Sequence, residues 1–168
     1  GLPSIPHSPR RLPARVRDLL RQRHIPSTDD PERGLDHGAY VPLVAMYPEA
    51  DVPVFQASLP SRLDADAAWA FGQALAPLAD EGVLIVGSGS LTHNLHEFRS
   101  GHGQDEAYVA EFAAWVRDAV EHGDRARLLR TLDDAPQARR AHPTAEHFWP
   151  LLVAAGAAGP SDVALPVQ

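Results

Sequence analysis

The protein is 168 residues long, enough for one domain with a hydrophobic core and short for two. Its composition, 44% apolar and 22% charged, suits a globular chain, and a net charge of −7 gives no electrostatic case for nucleic acid or an anionic membrane. All 15 basic residues are Arg and Cys is absent, which excludes Schiff-base and Walker-lysine chemistry, disulfides, iron–sulfur clusters and thiol nucleophiles.

In chain order, residues 1–11 are rich in Pro and Arg and read as a surface lead-in. The opening Gly-Leu-Pro, in place of Met, suggests a fragment or a processed product. No signal-peptide pattern or membrane-length apolar run is present, so the expected compartment is the cytoplasm. Leu12, Val16, Leu19 and Leu20 share one face of a helix predicted from Leu12 to Arg23. Residues 26–38 read as loop. VPVFQASL, residues 52–59, is a short apolar run bounded by Pro and Ser and reads as a buried strand. Asp64 to Ala79 reads as a helix with Ala68, Phe71, Leu75 and Leu78 inward, and Gly82 to Gly87 as a second buried strand.

That order predicts a right-handed βαβ unit. An amphipathic helix follows over Gln104–His122, carrying Tyr108, Phe112, Trp115 or Val116, and Val120, then a shorter one over Asp124–Asp133. Pro143-Thr144 is expected to open a last helix with Thr144 as N-cap, and VALPV near the C-terminus to add an edge strand. The expected fold class is α/β, a mostly parallel or mixed central sheet flanked by helices, in a single domain over residues 1–168. Two or three strands cannot bury both faces of a parallel sheet, so further strands are expected outside this chain.

The segment GVLIVGSGSLTHNLHEF, residues 82–98, carries the first candidate chemistry. A dinucleotide fingerprint needs a third glycine that Gly87-Ser88-Gly89-Ser90-Leu91-Thr92 lacks, and a nucleophile elbow needs glycines two residues before and two after the Ser, where Ser88 has Val86 and Ser90. What remains is a sharp turn that presents His93, a residue type suited to proton transfer near neutral pH or to a divalent metal. His96, beside Glu97, reads as a surface residue. A second cluster is AHPTAEHF, residues 141–148, where His147 is expected in a first helical turn whose dipole favours the neutral ring a ligand needs. Glu146 beside it is either a carboxylate ligand or a cap. Asp36-His37-Gly38 is the third cluster, equally readable as a turn. His7, His24, His102 and His122 stand in polar or terminal contexts and read as solvated.

GLDHGAYVPLVAMYPEADVPVFQASL (34–59), EGVLIVGSGSLTHNL (81–95) and AHPTAEHFWPLLVAAGAAG (141–159) together resemble three ordered blocks of one family. It is the DOPA-dioxygenase type of class III (LigB-type) extradiol ring-cleavage dioxygenases. The resemblance implies an α/β sandwich with a non-haem Fe(II) or Zn(II) site and O2-dependent opening of a catechol ring. His93 matches the Thr-His-Asn histidine, a metal-site residue or the acid/base for the catechol proton, and Asn94 beside it is a substrate-binding candidate. His147 matches a metal ligand, and His37 a catalytic, substrate- or oxygen-facing residue. No role carries over to His142.

Relatives of this type carry two further metal histidines near the N-terminus, in His-Gly-Ser-Pro-like and Ala-His-Trp-like motifs that do not occur here. The chain therefore reads as the C-terminal portion of a LigB-type domain. The implied partners are a catecholic small molecule and O2, with a homo-oligomer or an N-terminal segment outside this chain, and neither nucleic acid nor membrane. Competing readings are a non-catalytic LigB-like binding module, an inactive truncated fragment and a nucleotide-binding α/β module.

Overall fold

The structure is a computed structural model and describes residues 11–100 and 106–159. Ten helices make up its regular structure among these residues. The chain opens with α1 (Leu12–Gln22), which has Pro in its first turn and buries Val16, Leu19 and Leu20. Next comes α2 (His37–Met46), whose first two residues fall in the segment expected to be loop: the Asp36 side chain accepts from the Ala39 N–H at 3.0 Å and caps the helix. The Asp-His-Gly turn signal is thus a helix start. The third and fourth helices are α3 (Ala65–Leu75), capped by Asp64, and the single turn α4 (Pro77–Asp80).

Then follow α5 (Leu95–Ser100), α6 (Glu106–Glu121), α7 (Arg125–Leu129), α8 (Thr131–Asp134), α9 (Ala138–Ala141) and α10 (Trp149–Ala157). The helical spacing read from the sequence holds for α1, α3 and α6, whose apolar stripes enter a common core. Phe112 of α6 and Phe148 before α10 are fully buried and meet edge to face at 6.2 Å.

The tightest contact joins α3 to α10. A Cβ added at Gly72 would overlap the Val153 carbonyl and meet Ala157 N at 2.9 Å, and one at Gly156 would overlap the Trp69 carbonyl. The two backbones therefore touch directly, with no side chain between them.

The expected central sheet is absent: no strand occurs among the described residues. Both predicted strands, 52–59 and 82–87, lie outside any helix, yet no backbone ladder joins them to each other or to a third segment among the described residues. An apolar run becomes a strand only when a neighbour's N–H and C=O groups line up with its own. Here the bonds go elsewhere: Val83 N–H donates to Leu78 O at 3.0 Å, and the Gln56 side chain accepts from Asp36 N–H at 2.9 Å. The second run is not buried on both faces either, since Leu84 is 66% and Val86 49% exposed.

The last helix also starts later than Thr144. It begins at Trp149, with Pro150 in the first turn, where a missing N–H removes no helical bond. Thr144 Oγ1 bonds the Glu146 carboxylate at 2.7 Å and caps no backbone. VALPV, His7 and His102 lie outside the described residues. No described helix is long and apolar enough to cross a membrane.

The helix contact is testable by adding one methyl group. Gly72→Ala should destabilise the fold by about 1–3 kcal/mol through overpacking, seen as a lower urea midpoint at unchanged slope. Gly34→Ala, with nothing within 4 Å of its Cβ, should shift stability by less than about 1 kcal/mol.

Candidate metal centre

The glycines of Gly87-Ser88-Gly89 press the chain onto the entry to α10. A Cβ at Gly89 would lie 2.5 Å from the His147 carbonyl oxygen, and one at Gly87 would lie 3.0 Å from the Pro150 carbonyl carbon. Their role is close approach, not a phosphate cradle. Ser90 N–H donates to His147 O at 2.9 Å, and His93 N–H donates to Ala141 O at 2.7 Å. The Asn94 amide donates to Arg140 O at 2.8 Å and its carbonyl accepts from Glu97 N–H at 3.1 Å. Arg140 grips the Glu97 carboxylate with bonds of 2.8 and 3.0 Å and lies 4.1 Å from the Tyr108 ring centroid.

These bonds bring together two imidazoles that lie far apart in the chain. The rings of His93 and His147 stack with centroids 3.4 Å apart and planes 16° from parallel. With Glu146 they offer one ligand atom each, all within 4.8 Å of one another. The Glu146 carboxyl is held below its ordinary pKa, first by the Thr144 hydroxyl, so it is ionised at neutral pH. His147 Nδ1 lies 3.4 Å from Glu146 Oε1, closed to solvent and without a hydrogen-bond partner. A buried nitrogen in that state is one that a cation would satisfy. Two histidines and a carboxylate are also the donor set that suits non-haem iron or zinc.

His37 reaches the neighbourhood from α2. It is exposed, tilts against Tyr40 at 5.0 Å, and shares with Ser88, Glu146 and His147 the lining of a cavity of about 900 Å³. The Ser88 hydroxyl bonds the Gly38 carbonyl and ties the helix start to the glycine turn.

The description "Catalytic LigB subunit of aromatic ring-opening dioxygenase" matches residues 4–166. The chain belongs to the LigB family. It is 46% identical over 162 residues to the 4,5-DOPA dioxygenase extradiol of Beta vulgaris, covering 96% of this chain and 60% of that one. It is 36% identical to the 4,5-DOPA dioxygenase extradiol of Escherichia coli K12, covering 94% and 59% of the two chains. A crystal structure of an uncharacterized protein from E. coli K12 aligns with a TM-score of 0.74 at 34% identity, over 91% of this chain and 63% of that chain. This LigB chain thus spans about 60% of the length of such curated relatives.

Of the residues singled out from the sequence, His93 and His147 meet directly, and His37 and His147 line one cavity. Asn94 does not turn into it: both ends of its amide are engaged by the backbone around α5 and α9. His147 precedes α10 instead of sitting in its first turn, so hydrogen bonds of the turn, not a helix dipole, set its place. His96 and His24 are exposed, and exposed His122 pairs with Asp118. Sequence reasoning left Glu146 ambiguous and passed over the Glu97–Arg140 pair, which carries no local signal because its partners are 43 residues apart.

His142 is buried, and burial is the main force pushing its pKa below the ordinary 6.5, against the Leu91 carbonyl that raises it. Between the folded value and 6.5 the unfolded chain therefore binds a proton that the folded chain refuses. The corresponding stability is present above 6.5 and is lost as pH falls through the folded value. Urea denaturation at pH 7.5 and pH 5 should show a drop in stability that is smaller in His142→Phe.

Proposed function

We propose that this chain carries the ring-opening end of an extradiol dioxygenase, in which a DOPA-like catechol is cleaved by O2 at a non-haem Fe(II) or Zn(II) centre. The observation that carries this reading is the convergence of His93, Glu146 and His147 within 4.8 Å, with Glu146 and His147 on the wall of a cavity. The names of the Beta vulgaris and E. coli relatives support the substrate class.

His93, His147 and the ionised Glu146 would hold the metal. A bound Fe(II) or Zn(II) supplies Lewis acidity that eases ionisation of a catechol, and iron adds reactivity toward O2. The chain's own residues do the rest. Phe55, Leu59, Val83 and Pro150 line the cavity with apolar surface suited to a flat aromatic ring and poor for water. His37, an imidazole on the same lining, accepts a proton from a catechol hydroxyl oxygen and returns it later in the reaction. Thr144 keeps Glu146 oriented and charged.

Titration of the chain with Zn(II), and with Fe(II) under anaerobic conditions, should show about one ion bound per chain. His93→Ala and His147→Ala should each weaken that binding by more than the roughly 10–100-fold expected for loss of an outer partner. Full binding in both variants would sink the centre. Oxygen uptake with DOPA, with a yellow ring-opened product, tests the reaction itself. Uptake only in a longer chain that carries the upstream His-Gly-Ser-Pro-like and Ala-His-Trp-like motifs is the result expected of a C-terminal portion, and metal binding without uptake in both would favour the non-catalytic LigB-like module.

A further inference from the structure

The turn that delivers His93 is held from below by a third histidine. His142 Nε2 lies 2.8 Å from the Leu91 carbonyl oxygen, the only hydrogen bond that carbonyl receives among the described residues. That bond falls between two others on the same turn, Ser90 N–H to His147 O and His93 N–H to Ala141 O. Residues 90–93 are thus fastened at three successive points to the segment 141–147. The ring of His142 is 6% exposed and sits against Phe112 at 5.6 Å and Phe148 at 5.4 Å. An aromatic slot of this kind takes Phe or Leu without burying a polar group, so packing alone gives no reason for imidazole there. A fixed N–H aimed at a backbone carbonyl does.

We propose that His142 is a positioning residue for the His93–His147 pair: its Nε2–H, donated to Leu91 O, fixes the turn so that the His93 ring stacks on His147 and faces Glu146. It touches no metal or substrate and acts only through the backbone of residues 91–93. This inference rests on the metal-centre reading for its consequence, but its geometry does not require a metal. The proton belongs on Nε2, because a carbonyl oxygen can only accept.

The test compares His142→Phe, which keeps an aromatic ring and removes the donor, with His142→Gln, which keeps an N–H of similar reach. Zn(II) affinity should fall about tenfold or more in His142→Phe and recover most of the way in His142→Gln. In the metal-free protein, proton NMR should show ring-current shifts on the His93 and His147 rings in the unmodified chain and His142→Gln, and their collapse in His142→Phe. Nitrogen shifts of the unmodified chain should report the Nε2–H tautomer of His142. This last measurement needs no variant to fold.

Unchanged affinity and ring shifts in His142→Phe would overturn the proposal. So would an Nδ1–H tautomer, or equal loss in both variants, which assigns His142 to packing alone. If the unmodified chain binds no Zn(II), the metal-centre reading fails, while the ring shifts still decide whether His142 positions His93.

Discussion

The close approach of α3 and α10 sets the rest of the geometry. Gly72 and Gly156 let the two backbones meet, and neither position leaves room for a Cβ. Once α10 is seated on α3, its first turn and the residues before it are fixed in space. Phe148 is then driven into the core against Phe112, and His147 is left at the edge of that core with its Nδ1 shut off from water. The second pair of glycines, Gly87 and Gly89, repeats the device at the entry to the same helix, against Pro150 and His147. The candidate centre is therefore a by-product of backbone contacts, and its precision is inherited from a packed interior that does not deform continuously.

Around that scaffold the polar groups are divided between holding and offering. Asn94, Arg140, Glu97 and Ser90 are engaged in bonds that hold the turn. His93, Glu146 and His147 are left with atoms that converge. Thr144 belongs to both sets, since its hydroxyl orients Glu146 and stabilises its charge. Preorganisation of this kind would spare the donor atoms a large movement on binding a cation, and His147 and Glu146 share a cavity lining with His37.

Helices α1, α3 and α6 were legible because their signal is local: Val16, Leu19 and Leu20, or Tyr108, Phe112 and Val116, declare a face within a few turns. The sheet was not, because an apolar run such as VLIV has the composition of a strand but cannot carry its partner within itself. Its outward residues Leu84 and Val86 show that tertiary context, not local preference, decides the outcome. The candidate site was legible to the extent that its residues sit in recognisable blocks: His93 and His147, both marked from the sequence, stack on each other, and His37 shares a cavity lining with His147. Glu146 was ambiguous because a Glu beside a helix start serves as cap or ligand equally well. The Thr144 cap failed for a related reason. Its hydroxyl had a carboxylate two residues away, and a charge-assisted bond is stronger than a neutral one to a backbone N–H.

The same ambiguity governs the glycines of Gly87-Ser88-Gly89. A glycine is required either where φ is positive or where another backbone comes too near for a Cβ, and a sequence does not say which. Phosphate loops use it for turning and for exposing N–H groups to an anion. Here neither Gly87 nor Gly89 has positive φ, whereas Gly82 and Gly123 do, and those two have nothing near them. The Ser90 N–H that follows is spent on the His147 carbonyl and is not available to an anion. Gly89 is small where the His147 carbonyl comes close and Gly87 where Pro150 does, and the turn they open leads into the stack of one imidazole on another.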